Sequence, residues 1–135
     1  MPWEVILDDD FADWLRGLAA GPRQEILAGA DQLSRFGPNL GRPRVDTLKG
    51  SVYPNLKELR VQFAGEPWRI LFAFDPRRRA ILLAGGNKVG NEKGWYRENI
   101  PIAEHRYARH LEKLGRDESP PEPRRNRKAA KRKKR

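Results

Sequence analysis

Residues 56–96 of this 135-residue chain collect side chains able to grip a phosphodiester. Lys57 and Arg60 open one apparent strand, Arg69 sits in the next within Trp68-Arg69-Ile70-Leu71-Phe72, and Lys88 follows Gly85-Gly86-Asn87 at the end of a third. Trp95 and Tyr96 come close behind. Arginine is always charged and presents a planar fork that matches phosphate oxygens, so Arg60 and Arg69 are the natural clamp. A lysine crowded by other cations yields its proton more readily, which makes Lys57 or Lys88 a candidate base or acid.

Each of these residues also has a plainer reading. Glu58 and Arg60 share a strand face and can simply form an ion pair, and Arg69 can pair with Glu58 or Asp75. Lys88 can belong to an ordinary turn after the glycines. Arg77, Arg78 and Arg79 read as a solvated hairpin tip. His105 and His110 are five apart on an expected helix, so they do not share a face, and solvated or capping roles are expected. The Gly-Gly-Asn-Lys-Val-Gly run lacks the spacing of a phosphate-binding Walker loop.

The elements that must position these groups follow from periodicity. Trp3, Val5 and Leu7 alternate with Glu4 and Ile6, as in a strand. Asp8, Asp9 and Asp10 suit a helix N-terminus, and Phe11, Trp14, Leu15 and Leu18 give that helix an apolar face. Gly21-Pro22 breaks it and starts a second, lined by Ile26, Leu27, Ala30 and Leu33 and stopped at Gly37-Pro38. Residues 38–55 read as a long loop carrying Arg42, Arg44 and Lys49, long enough to suggest a binding role. Three strands then follow, 56–63, 68–74 and 80–84, joined by hairpin turns into an antiparallel meander. Asn99 can cap a last helix with Pro101 in its first turn and Ala103, Tyr107, Leu111 and Leu114 as its stripe. The fold class expected is α+β: an N-terminal strand, a helical hairpin, the meander and a C-terminal helix, with the helices on one sheet face.

Charge divides the chain unevenly. The formal net charge is +10, and residues 116–135 hold ten Lys or Arg against three Asp or Glu, leaving +3 for residues 1–115. The expected organisation is one domain over 1–115 and a disordered Lys/Arg-rich tail over 116–135, too polar to offset its ordering entropy. Such a tail either favours encounter with RNA in a salt-sensitive way or merely solubilises the chain. With no cysteine, disulfides and thiolate metal sites are excluded. No apolar run approaches the ~20 residues that cross a bilayer and no secretion signal is evident, so a cytoplasmic location without membrane association is expected.

The segments Leu48-Lys49-Gly50-Ser51, Leu56-Lys57-Glu58-Leu59-Arg60, Trp68-Arg69-Ile70-Leu71-Phe72, Phe74-Asp75-Pro76, Gly85-Gly86-Asn87-Lys88, Trp95-Tyr96 and Ile100-Pro101-Ile102-Ala103, in this order, resemble the HigB-type, phage Gp49-like branch of the RelE/ParE toxin superfamily. The resemblance spans roughly residues 3–114. It implies the toxin of a type II toxin-antitoxin pair, a metal-independent endoribonuclease that cuts mRNA on the ribosome. A helix-turn-helix antitoxin is the implied partner, and no metal or small-molecule cofactor is implied. Cleavage of this kind needs a base for a 2′-hydroxyl proton, cations around the phosphorane and an acid for the departing 5′-oxygen. The roles expected are Arg60 and Arg69 as clamp, Lys88 as charge stabiliser or acid, and Lys57 or Tyr96 as base. Arg42, Arg44 and Lys49 would bind RNA, and Trp95 and Tyr96 would stack on a base, although Trp95 serves equally well as a core anchor. The competing readings are a non-catalytic blocker of a protein target such as gyrase, like the ParE relatives, and a basic nucleic-acid-binding protein working through its tail.

Overall fold

The computed structural model describes residues 2–117. Strand β1 (Glu4–Leu7) leads into helices α1 (Asp9–Arg16) and α2 (Ala20–Phe36); strands β2 (Val45–Thr47), β3 (Leu56–Phe63), β4 (Glu66–Phe74) and β5 (Arg79–Asn87) follow, and helix α3 (Glu92–Asp117) ends the described chain. The α+β class is the one expected, and the expected elements come in the expected order, with the strand β2 added between α2 and β3. The sheet runs β1-β5-β4-β3-β2, with β1 parallel to β5 and every other pair antiparallel. No helix among the described residues is long and apolar enough to cross a membrane.

Local chemistry sets the element boundaries. Asp8 caps α1 by accepting from the amides of Asp10 and Phe11 at 2.9 and 3.1 Å. Ala64 and Gly65 both take positive φ in the two-residue turn between β3 and β4, the backbone that lets a tight hairpin follow the strand twist. Helix α3 begins at Glu92 rather than at Asn99, because the Asn91 side chain accepts from the Gly94 amide and caps it. Pro101 therefore lies inside the helix and not in its first turn. The helix tolerates it because Tyr96, Ile100, Ala103, Tyr107 and Leu111 form one continuous stripe packed on the sheet, and that burial outweighs a lost backbone bond.

The helices do not share one sheet face, contrary to the expectation. Helices α1 and α2 cover Leu59, Val61, Ile70, Phe72 and Leu82, whereas α3 covers Leu71, Ala73, Ile81 and Leu83 on the opposite side. Strands β4 and β5 are apolar at successive positions, so both of their faces demand cover. Full burial of a side chain such as Phe11 or Phe72 contributes about 1.5–3 kcal/mol. Leu27, expected on the buried face of α2, is instead half exposed.

The segment 38–55, read as a long binding loop, contains β2 and is fastened to α3. Glu104 accepts from the Ser51 hydroxyl at 2.9 Å and from the Val52 amide at 2.8 Å, and Asn55 donates to the Tyr107 hydroxyl at 2.9 Å. The turn between β4 and β5 is locked as well. The Asp75 carboxylate, with no solvent exposure, accepts from the amides of Arg77 and Arg79 and from Arg79 Nε at 3.0 Å, and lies 2.9 Å from His110 Nε2. His110 is thus neither solvated nor a cap, and Arg79 is no solvated tip residue. Arg78 lies 4.6 Å over the Trp3 ring. Helix α3 carries the chain to Asp117, two residues into the segment assigned to the tail, and the remainder of that tail lies outside the described residues.

Candidate active site

Strand parity builds the site. Glu58 and Arg60 of β3 project on the α3 face, and Arg69 of β4 is the direct cross-strand partner of Arg60. Like charges facing each other across a ladder repel, so this pair requires an anion between them. Glu58 is that anion. Its side chain is only 8% exposed, and Oε2 accepts from Arg60 Nε and Nη2 at 3.3 and 3.2 Å. Its Oε1 accepts from the Tyr96 hydroxyl at 2.5 Å and lies 3.9 Å from Arg69 Nε. The Arg69 Nη1 group donates to the Trp68 carbonyl at 3.0 Å, while its buried Nε makes no hydrogen bond among the described residues.

Helix α3 delivers the rest. Burial and the neighbouring Glu58 carboxylate push the Tyr96 phenol well above its ordinary value. The phenol therefore stays protonated and acts as a donor, which argues against the base role weighed for it. Lys88 Nζ lies 5.3 Å from the Tyr96 ring centroid and 2.8 Å from Glu92 Oε1. That bond from Lys88 holds the Glu92 carboxyl below its ordinary value. The cations do not crowd one another unopposed, as the sequence suggested: Glu58, Glu92 and Asp46 interleave with Arg60, Arg69 and Lys88, and Asp46 Oδ2 accepts from Arg60 Nη2 at 3.1 Å.

Two open grooves meet at Arg60. One, of about 500 Å³, runs past Glu58 and Tyr96 between Lys49 on one side and Lys93 and Arg97 on the other. The second, of about 540 Å³, is bounded by Pro43, Arg44, Gln62 and Arg69. A single strand of nucleic acid laid along both would pass its backbone over Arg60 with flanking cations on either hand.

Of the residues singled out in the sequence, the structure brings together Arg60, Arg69, Lys88 and Tyr96, with Lys49 and Arg44 at the groove walls. Arg44 is also tied to β3, donating from Nη1 to the Arg60 carbonyl at 3.1 Å. Arg42 is exposed and lies 3.8 Å from Asp46. Lys57 does not join the cluster: it alternates to the α1/α2 side of β3, where its Nζ lies 3.5 Å from Thr47 Oγ1. Trp95 packs against the sheet over Gly86 and is a core anchor. Sequence reasoning weighed Glu58 only as an ion-pair partner and missed Asp46, Lys93 and Arg97. Glu58 was signalled by its shared parity with Arg60. Lys93 and Arg97 flank Tyr96 only once α3 is known to begin at Glu92.

The place of Tyr96 depends on the close approach of Trp95 to Gly86. A Cβ at Gly86 would lie 2.4 Å from Trp95 Nε1. Gly86→Ala is accordingly expected to lower stability by about 1–3 kcal/mol and to loosen the first turn of α3, read as a reduced melting temperature and a weaker near-ultraviolet tryptophan signal.

Comparison with known proteins matches residues 13–108 to the family described as "Phage derived protein Gp49-like (DUF891)". The chain is 49% identical over 102 residues to the Mycobacterium tuberculosis protein named "Putative toxin HigB3", covering 76% of this chain and 88% of that one. It is 48% identical over 99 residues to "Putative toxin HigB2" of the same organism, covering 73% of this chain but only 49% of the relative. Among solved structures, a double-substitution variant of the E. coli toxin RelE in the free state is similar with a TM-score of 0.53 at 13% identity, covering 68% of this chain and 90% of that one. The archaeal RelE–RelB complex from Pyrococcus horikoshii gives a TM-score of 0.48 at 18% identity, covering 67% and 99%. At 13% identity the likeness to the free RelE variant bears on fold alone. With a RelE-like fold, and a family match that spans most of its described residues, this chain belongs to the phage-derived Gp49-like family together with its HigB relatives.

Proposed function

We propose that this chain is the toxin of a type II toxin-antitoxin pair and acts as a ribosome-dependent mRNA endoribonuclease, with a helix-turn-helix antitoxin as its partner. The observation that carries the reading is the buried Glu58 carboxylate, held between Arg60, Arg69 and the Tyr96 hydroxyl where two grooves meet. A fold can host unrelated activities, so the activity must come from this site.

In the mechanism proposed, substrate phosphate enters the arginine pair and loosens the hold of Arg60 on Glu58. The carboxylate takes the proton of the adjacent 2′-hydroxyl, whose oxygen attacks phosphorus. Arg60 and Arg69 hold the charge that builds on the phosphorane, and the buried, underused Nε of Arg69 supplies a donor for it. As the bond from phosphorus to the 5′-oxygen breaks, that oxygen takes a proton from the Lys88 ammonium group. The products are a 2′,3′-cyclic phosphate and a 5′-hydroxyl. The Tyr96 hydroxyl keeps Glu58 in place and its ring stacks on Lys88 or on an extruded base. Lys57 has no part in this scheme.

Induced expression with growth followed and mRNA 5′ ends mapped tests the proposal. The wild type is expected to arrest growth with cuts in phase with codons, and folded Arg69→Ala and Lys88→Ala variants are expected to lose about 10²-fold or more of the cleavage and the arrest with it. Arrest without new ends, or equal toxicity of both variants, would instead favour a ParE-like block of a protein target.

A further inference from the structure

Asp46 has no part in the scheme above, yet it lies at the same arginine. It sits on the three-residue edge strand β2 as the cross-strand partner of Glu58. Two carboxylates directly opposite each other on a ladder repel, and such a pair is a poor choice for stability alone. Both nevertheless accept from the same Arg60 Nη2, Asp46 Oδ2 at 3.1 Å and Glu58 Oε2 at 3.2 Å. Arg42 approaches Asp46 Oδ2 as well, at 3.8 Å. The two acids differ in access: the Glu58 side chain is 8% exposed and that of Asp46 is 32%.

We propose that Asp46 is a built-in competitor for substrate phosphate, occupying Arg60 Nη2 in the free protein and giving it up only when an RNA phosphate takes its place. This rests on the ribonuclease reading of the site and adds to it a residue that sets affinity. Asp46 lines the groove beside Glu58, Arg60 and Tyr96, so a phosphate entering there meets the carboxylate before it meets an available fork. Glu58 is too enclosed to be the acid that withdraws. Among the described residues, the anchor of Asp46 apart from Arg60 and Arg42 is the neighbouring Thr47 amide, which donates to Oδ1 at 2.9 Å, on a strand of three residues. Anions that gain Arg60 must therefore bind well enough to replace an intramolecular partner, which discriminates against small or weakly charged ions and favours a polyanionic strand held at several points.

Asp46→Asn isolates the effect, because asparagine keeps the side-chain oxygen for the Thr47 amide and removes the charge. The measurement is binding of a 2′-O-methylated RNA dodecamer, which cannot be cleaved, followed by tryptophan fluorescence over a range of salt, for wild type, Asp46→Asn and Arg60→Ala, each with its melting temperature. Asp46→Asn is expected to bind about fivefold more tightly, the scale of one partly exposed ion pair. Its log K against log salt slope is expected to steepen by up to about 0.7, because in the wild type the Asp46 charge freed from Arg60 takes back a cation and offsets one released from the single strand. A merely structural Asp46 would change the melting temperature but not the salt slope. Equal or weaker binding by Asp46→Asn, with Arg60→Ala still weakening the wild type, overturns the role of Asp46 and leaves the RNA site standing. If Arg60→Ala changes nothing, the RNA reading and the inference fall together.

Discussion

Glu58→Gln is expected to slow RNA cleavage about 10²–10³-fold, the scale of one lost general base, while leaving RNA binding intact or tighter. Glutamine matches the shape of glutamate and its oxygen still accepts from the Tyr96 hydroxyl, so the packing under α3 is retained. What disappears is the charge that draws the 2′-hydroxyl proton and that also occupies Arg60. Single-turnover cleavage on programmed ribosomes, with Kd for a non-cleavable RNA measured in parallel, separates the two effects. A fall in the cleavage rate with unchanged Kd assigns Glu58 to chemistry. A parallel loss of both would make it a structural counterion for the arginines, and unimpaired cleavage would remove it from the mechanism.

Asp75→Ala is expected to have the largest effect on stability, about 3 kcal/mol, because it leaves Arg79 and His110 facing an emptied, buried site. In a domain of this size that corresponds to a fall of roughly 10–20 °C in melting temperature. The pH dependence follows from the same contacts. Burial by itself raises the Asp75 carboxyl, but the bonds from His110, from Arg79 and from the Arg77 and Arg79 amides outweigh it and hold the group below its ordinary 3.8. A carboxyl lowered by folding contributes stability that is complete above its unfolded value and is lost as pH falls through its folded value. Denaturant unfolding of the wild type should therefore show stability declining below about pH 4. The Asp75→Ala variant should be weaker at neutral pH and decline less on acidification. Equal acid limbs in the two proteins would place the titrating carboxyl elsewhere.

The legible part of this molecule was the part governed by periodicity. Alternation at Leu59, Val61 and Phe63 and at Ile70, Phe72 and Phe74 located β3 and β4, and helical spacing located α1, α2 and the stripe of α3. The start of α3 was misread because Pro101 looks like a first-turn proline, whereas tertiary burial carries the helix through it and Asn91 caps it. The face of α3 was hidden for a related reason: continuous apolar strands say that both sides need cover without saying which helix supplies it. At the site, the same parity that paired Arg60 with Glu58 also sent Lys57 to the other face, yet a count of cations along the chain grouped all of them. Residue type suggested a phosphate grip, but the interleaved carboxylates emerged only from the register of β2 on β3 and of β3 on β4. Asp46 lay in a Gly- and Pro-rich stretch, where a strand of three residues leaves no periodic signal.

The parallel pairing of β1 with β5 joins Glu4 to Arg79, and the candidate site takes Glu58 from β3 but Tyr96 from α3. During synthesis, then, the first strand waits for nearly the whole sheet before it finds its neighbour, and the Glu58 carboxylate waits longer still for its phenol. A nascent or truncated chain ending before α3 would carry the arginines without the groove wall that Lys93, Tyr96 and Arg97 provide. The order of the elements along the chain thus delays assembly of the site until α3 has been made, so that products of translation ending before it lack the site.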